Sequence, residues 1–191
     1  MGREFELKYA ATAADLEKIK LRYPRLSPIV METTYYDTPD SLLGNLHWTL
    51  RRRMENGKSV CTLKTPAGGL SRGEWETECG CILDAIPALI ALGAPKELED
   101  YTAQGLTESC GAKFTRLAAA VEPESCTVEL ALDEGILTGG GKELPFTEVE
   151  VELKEGSEEA AASFAAKLAE EFGLQPEYRS KVARARALAQ T

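Results

Sequence analysis

Charged and apolar residues alternate along this chain with unusual regularity. From Arg3 to Tyr9, Glu4, Glu6 and Lys8 fall on one phase and Phe5, Leu7 and Tyr9 on the other. That period of two is the signature of a half-buried strand. Further strands are expected at 32–38, 47–54, 58–65, 112–121 and 125–133, and the alternation returns at 72–79 and, very regularly, at 146–153. Glu55-Asn56-Gly57 joins two of these segments and reads as a tight hairpin turn. Gly139-Gly140-Gly141-Lys142 reads as another turn, because it lacks the spacing of a phosphate-binding loop.

Helical periodicity is confined to three places. Thr12 with Asp15 forms a capping box ahead of Leu16 and Ile19, and Pro24 stops that helix. Residues 84–105 carry two short helices parted by Gly93-Ala94-Pro95. Ser157 opens a helix over 157–172, with Phe164, Leu168 and Phe172 on one stripe and Gly173 just past its end. The stripe suits covering the sheet and equally suits contact with a second copy of the chain. No repeat and no linker interrupts the pattern, so residues 1–191 read as one domain of the α+β class, dominated by a sheet or barrel.

Composition narrows the function. A net charge of −9 excludes nucleic acid as a bulk partner. There is no apolar run long enough for a membrane span, and the charged first residues do not resemble a signal peptide, so the expected location is the cytoplasm. Five scattered cysteines agree with a reducing compartment, and Cys79 with Cys81 lacks the second pair of a zinc site. The single histidine, His47, makes Ser-His-Asp chemistry improbable and reads as a structural residue at the start of a strand. Trp48 and Trp75 fall on outward phases, where packing beneath helices is their default role.

The charged phases carry the functional information. Glu148, Glu150 and Glu152 stack at two-residue spacing opposite Val149, Val151 and Leu153. Such a row repels itself unless a cation sits against it. About eight such strands close naturally into a barrel, apolar face outward and charged face inward. A dry interior of unpaired ions costs several kcal/mol per ion, so the interior must hold water, metal and a charged ligand. Lys8, Arg51, Arg53, Lys64 and Arg116 lie on inward phases, Arg72 is in phase with Glu74, Glu76 and Glu78, and Lys181 and Arg184 can lean over one mouth. Arginine forks and lysine point charges suit a polyphosphate, and glutamates without nitrogen or sulfur ligands suit Mg2+ or Mn2+.

These residues resemble the motifs of the CYTH superfamily, the triphosphate tunnel metalloenzymes. Glu4-Phe5-Glu6-Leu7-Lys8 is similar to its ExExK signature. Tyr36-Asp37-Thr38, Leu50-Arg51-Arg52-Arg53, Thr62-Leu63-Lys64 and Arg72-Gly73-Glu74-Trp75-Glu76 follow in the family's order, with outward-facing Arg52 replacing its usual apolar residue. Glu129 to Gly135, Glu148 to Leu153, and Ser180-Lys181 with Arg184 complete a resemblance over residues 3 to 186.

The resemblance implies a closed eight-stranded antiparallel tunnel that hydrolyses or cyclises a small-molecule triphosphate. It implies Glu4, Glu6, Glu148 and Glu150 as metal ligands, with Glu152 holding a second metal or the attacking water. Lys8, Arg51, Arg53, Lys64, Arg116 and Lys181 would grip phosphates, joined by Arg72 and Arg184. Glu74, Glu76, Glu129 and Asp133 would orient those basic groups. Inorganic triphosphate is the expected substrate. The alternatives are thiamine or nucleoside triphosphatase, class IV-type adenylate cyclase, and a non-catalytic polyphosphate-binding module.

Overall fold

A computed structural model describes residues 2–67 and 72–190. The chain opens with β1 (Gly2–Glu4) and β2 (Glu6–Ala10), followed by α1 (Ala13–Arg22), β3 (Ser27–Asp37) and the single-turn α2 (Leu42–Asn45). Next come β4 (Thr49–Glu55), β5 (Lys58–Pro66), β6 (Arg72–Glu78), α3 (Ile82–Ala91) and α4 (Glu97–Thr102). Three long strands follow, β7 (Thr107–Val121), β8 (Cys126–Gly139) and β9 (Lys142–Gly156). The remainder is α5 (Glu158–Phe172), the two-residue β10 (Gln175–Pro176) and α6 (Lys181–Leu188).

All strand pairs are antiparallel, in the order β1-β6-β5-β4-β3-β7-β8-β9-β2-β10. The sheet-dominated α+β class thus agrees with the patterning, while the expected closed ring of eight strands becomes a linear order of ten. Two details account for the extra strands. The segment read as one strand over 3–9 splits at Phe5, because β1 pairs with β6 and β2 pairs with β9. Gln175–Pro176 adds a short pairing onto β2.

Local signals place the helices and turns. Thr12 and Asp15 form the reciprocal capping box at α1, Ser157 caps α5, and Gly173 takes a left-handed conformation after it. Asn56 and Gly57 both have positive φ, which a two-residue hairpin between right-twisted strands requires. His47 also has positive φ and precedes β4, which begins at Thr49, so it lies in the turn after α2 rather than in the strand.

Two apolar cores lie against one face of the sheet. Leu16 and Ile19 of α1 and Ala161, Ala165 and Leu168 of α5 cover Val128, Leu130, Val149 and Val151. Ile82, Ile86 and Leu89 of α3, with Leu98 of α4, cover Leu50, Leu63 and Trp75. Trp48 packs edge-on against Tyr101 at 5.5 Å between centroids. Burying a Leu or Ile side chain contributes roughly 1.5–3 kcal/mol, so the two flanks fix which sheet face is covered.

The other face is not charged throughout. Toward one end Met31, Tyr35, Ala112, Phe114, Leu137 and Phe146 form a third apolar cluster, and Val182 and Ala185 of α6 fill it. The backbone of α6 approaches so closely that a Cβ on Gly139 would lie 2.1 Å from the Ala185 carbonyl oxygen. The interior expected to be wet along its length is therefore plugged at this end by a helix.

Candidate functional site

Above the plug the same sheet face lines a cavity of about 520 Å³. Eight acidic and eight basic side chains line it. Strand register explains the convergence. Glu6 opposes Glu152 and Lys8 opposes Glu150 across β2 and β9, Glu4 opposes Arg72 across β1 and β6, and Lys64 opposes Glu74 across β5 and β6. Side chains directly opposite in antiparallel strands stand about 4.5–5.5 Å apart at Cβ, which brings charged tips into one space.

The outer part of the cavity holds Glu4, Glu6 and Glu152, whose carboxylate oxygens lie within 4.8 Å of one another. Lys64 Nζ donates to Glu4 at 2.5 Å and lies 3.3 Å from Glu74. Lys154 pairs with Glu152 at 2.8 Å, while Lys8 stands 3.6 Å from Glu6. Burial, reinforced by the Glu150 charge, raises Glu6 to about 7. Burial also raises Glu152. Burial opposes ionisation of Glu4 too, but Lys64, with Arg51 and Arg72, holds it below the usual carboxylate range. Three oxygen-donor carboxylates with no nitrogen or sulfur ligand suit a hard divalent cation.

Basic groups face this trio. Arg53 is almost fully buried, donates from Nε to Thr33 at 2.9 Å, and is lowered to about 10 by burial and by neighbouring Arg51. Among the described residues, nothing accepts a hydrogen bond from the buried Nε of Arg51. A buried donor without a partner costs about 1–3 kcal/mol, and an anion in the cavity would relieve it. Arg72, Glu74, Glu76 and Glu129 also line the cavity.

Three predicted residues lie behind the cavity wall. Asp133 and Glu148 have no exposed surface, and Arg184 is buried beside them. Arg116 meets Asp133 and Glu150, Lys181 meets Asp133, Glu148 and Glu150, and Arg184 meets Glu148. The attraction of Arg116 and Lys181 outweighs burial and holds Glu150 ionised, whereas burial leaves Glu148 raised. Glu148 and Glu150 thus meet their own cations, while Glu150 still lines the cavity beside the outer trio.

Several residues at or beneath the cavity wall escaped the sequence reading. Tyr35 sits opposite Arg51 across β3 and β4, and Phe114 lies beneath Arg53, Arg116 and Lys181, with centroid distances of 5.5, 6.0 and 5.1 Å. Each is two residues from another inward position, so phase alone could have found them. Lys154, two beyond Glu152, carried the same signal. A second cavity of about 810 Å³ shares Glu4, Glu6, Lys8, Lys64 and Arg72 with the first and opens past Tyr9, His47 and Tyr178.

Comparison with known proteins gives a concordant picture. The family described as "CYTH domain" matches residues 2–185. An inorganic triphosphatase of Haemophilus influenzae is 30% identical over 166 residues, covering 82% of this chain and 47% of that protein. The chain therefore spans about half the length of this curated relative. Among solved structures, the PH1819 protein of Pyrococcus horikoshii superposes with a TM-score of 0.65 at 24% identity, covering 98% and 99% of the two chains. HpAC1 of Hippeastrum, described as having a dominant triphosphatase activity, gives 0.65 at 16% identity, covering 98% and 96%. These two likenesses bear on the fold. No described helix is long and apolar enough to cross a membrane.

Proposed function

The chain belongs to the CYTH domain family, and from that premise we propose that it is a divalent-metal-dependent triphosphatase that cleaves inorganic triphosphate to pyrophosphate and orthophosphate. One observation carries the reading: the Glu4–Glu6–Glu152 trio shares a single cavity with Arg51, Arg53, Lys64 and Arg72. The cavity's charges balance without a ligand, so a polyanion enters favourably only with compensating cations. A closed tunnel belongs to this proposal. It is supported by β1 and β2, which pair with β6 and β9 and are parted by Phe5 alone.

Glu4, Glu6 and Glu152 would hold Mg2+ or Mn2+. Bound there, the metal would neutralise phosphate charge and lower the pKa of water. Arg51, whose Nε lacks an acceptor, and Arg53, whose Nη1 stands 3.8 Å from Glu55, bind the phosphate oxygens. Lys8, Lys64 and Arg72 extend that grip along the wall. Their fixed charges stabilise the negative charge that builds on the transferred and leaving groups. Glu152, raised by burial, accepts a proton from the attacking water. Glu74, Glu76 and Glu129 orient the basic side chains. Arg116, Lys181 and Arg184, proposed from sequence as phosphate ligands, act first through the buried carboxylates they pair with.

Purified protein is tested with triphosphate, ATP and thiamine triphosphate, with and without chelator, following orthophosphate and cyclic nucleotide. Orthophosphate released from triphosphate, and abolished by chelator, is the expected result. Cyclic AMP formed from ATP, or no turnover of any of the three, overturns the proposal.

A further inference from the structure

The inner trio Asp133, Glu148 and Glu150, like the outer trio, brings carboxylate oxygens within 4.8 Å of one another. Its centre is already filled. Lys181 Nζ lies 2.7 Å from Asp133 Oδ2, 2.7 Å from Glu150 Oε1, and against Glu148 Oε1. An ammonium has three donors and no acceptor; Lys181 donates to Glu148 and Glu150 and forms an ion pair with Asp133. The remaining oxygens are also taken: Arg116 donates to Asp133 Oδ1 and Glu150 Oε2, and Arg184 to Glu148 Oε2. Three cations meet three anions, and every carboxylate oxygen has a donor.

Lys181 is held firmly there. It begins α6 behind the Ser180 cap, and its Nζ sits 5.1 Å and 5.4 Å from the ring centroids of Phe114 and Phe146. The outer trio is less completely served. Lys64 is shared between Glu4 and Glu74, Lys8 stays at 3.6 Å from Glu6, and Lys154 at 2.8 Å meets one oxygen of Glu152, so no single cation among the described residues bridges the three.

We propose that the Lys181 ammonium is a built-in counter-cation standing where a divalent ion would otherwise bind the inner carboxylates, and that it confines metal loading to the outer trio. Its second half rests on the function proposed above. Lys181 is thus a positioning residue that sets how many metal ions the chain takes.

Manganese binding to the chelator-treated chain, measured by equilibrium dialysis without substrate, tests this. Lys181→Met is expected to bind one more Mn2+ per chain than the unaltered protein. Lys181→Arg is expected to match the unaltered protein, and Asp133→Asn added to Lys181→Met to abolish the gain. Equal stoichiometry in Lys181→Met and the unaltered protein overturns the proposal. Should metal-free Lys181→Met be unfolded, Mn2+ is expected to restore its circular dichroism and melt, and failure to restore them also overturns it. If the unaltered protein binds no Mn2+, the outer metal site is lost, yet a gain in the variant still supports Lys181 as the inner cation.

Discussion

Arg116 and Asp133 face one another on β7 and β8 and meet at two points, Nε to Oδ1 and Nη2 to Oδ2, both at 2.8 Å. Asp133 has no exposed surface, and Arg116 is nearly as buried. Removing one partner of a buried pair leaves an uncompensated charge, which costs about 3–5 kcal/mol. Asp133→Ala is expected to lower unfolding stability by about that amount, and Asp133→Asn by less, because it retains hydrogen-bonding oxygen. Urea unfolding of both variants checks the order.

Lys64 and Glu6 test the chemistry rather than the fold. Each lines the cavity and neither belongs to the apolar clusters. Glu6→Gln and Lys64→Ala are each expected to reduce triphosphate turnover by ~100-fold or more, the scale of losing one preorganised charge-stabilising group. Phosphate release, read beside thermal melts that stay cooperative, is the measurement. Full activity in either variant removes that residue from the mechanism.

The raised Glu6 carboxyl makes a pH prediction. Its ordinary value is 4.5 and the folded value is about 7, so between these the folded chain holds a proton that the unfolded chain has released. Stability then falls as pH rises through that window. In chelator, the unaltered protein is expected to melt below Glu6→Gln at pH 8, with the gap closing toward pH 5. A gap that widens on acidification would contradict the burial of this carboxyl.

The plug makes a packing prediction. A methyl group on Gly139 meets the backbone of α6, which cannot move aside as a flexible side chain can. Gly139→Ala is expected to cost about 1–3 kcal/mol, the usual range for overpacking. Because α6 carries Lys181 and Arg184, increased proteolytic cleavage near 181–188 should accompany the loss.

Much of this arrangement was legible in the period-two charge pattern. Phase alone places Glu4, Glu6, Glu152, Arg53 and Lys64 on one sheet face, and strand register then brings them to one cavity. The plug was not legible. In α6, Lys181 and Arg184 are buried together with Val182 and Ala185, so no polar face contrasts with an apolar one and the helical period is blurred. The apolar inner end was not legible because the charged phase ends at Arg116 and Glu148, two residues short of Phe114 and Phe146. The turn α2 has too few residues for a pattern. The Asp37 carboxylate fixes it by accepting the amides of Leu43 and Gly44.

Phe5 parts two short strands that join partners far away along the sequence: β1 meets β6, and β2 meets β9. Closing such long loops costs entropy before any contact repays it, which places the chain among slow folders. Glu6 and Glu152 become neighbours only when those distant segments dock. Partly folded forms therefore lack the acidic trio, and divalent-ion uptake should lag hydrophobic collapse during refolding.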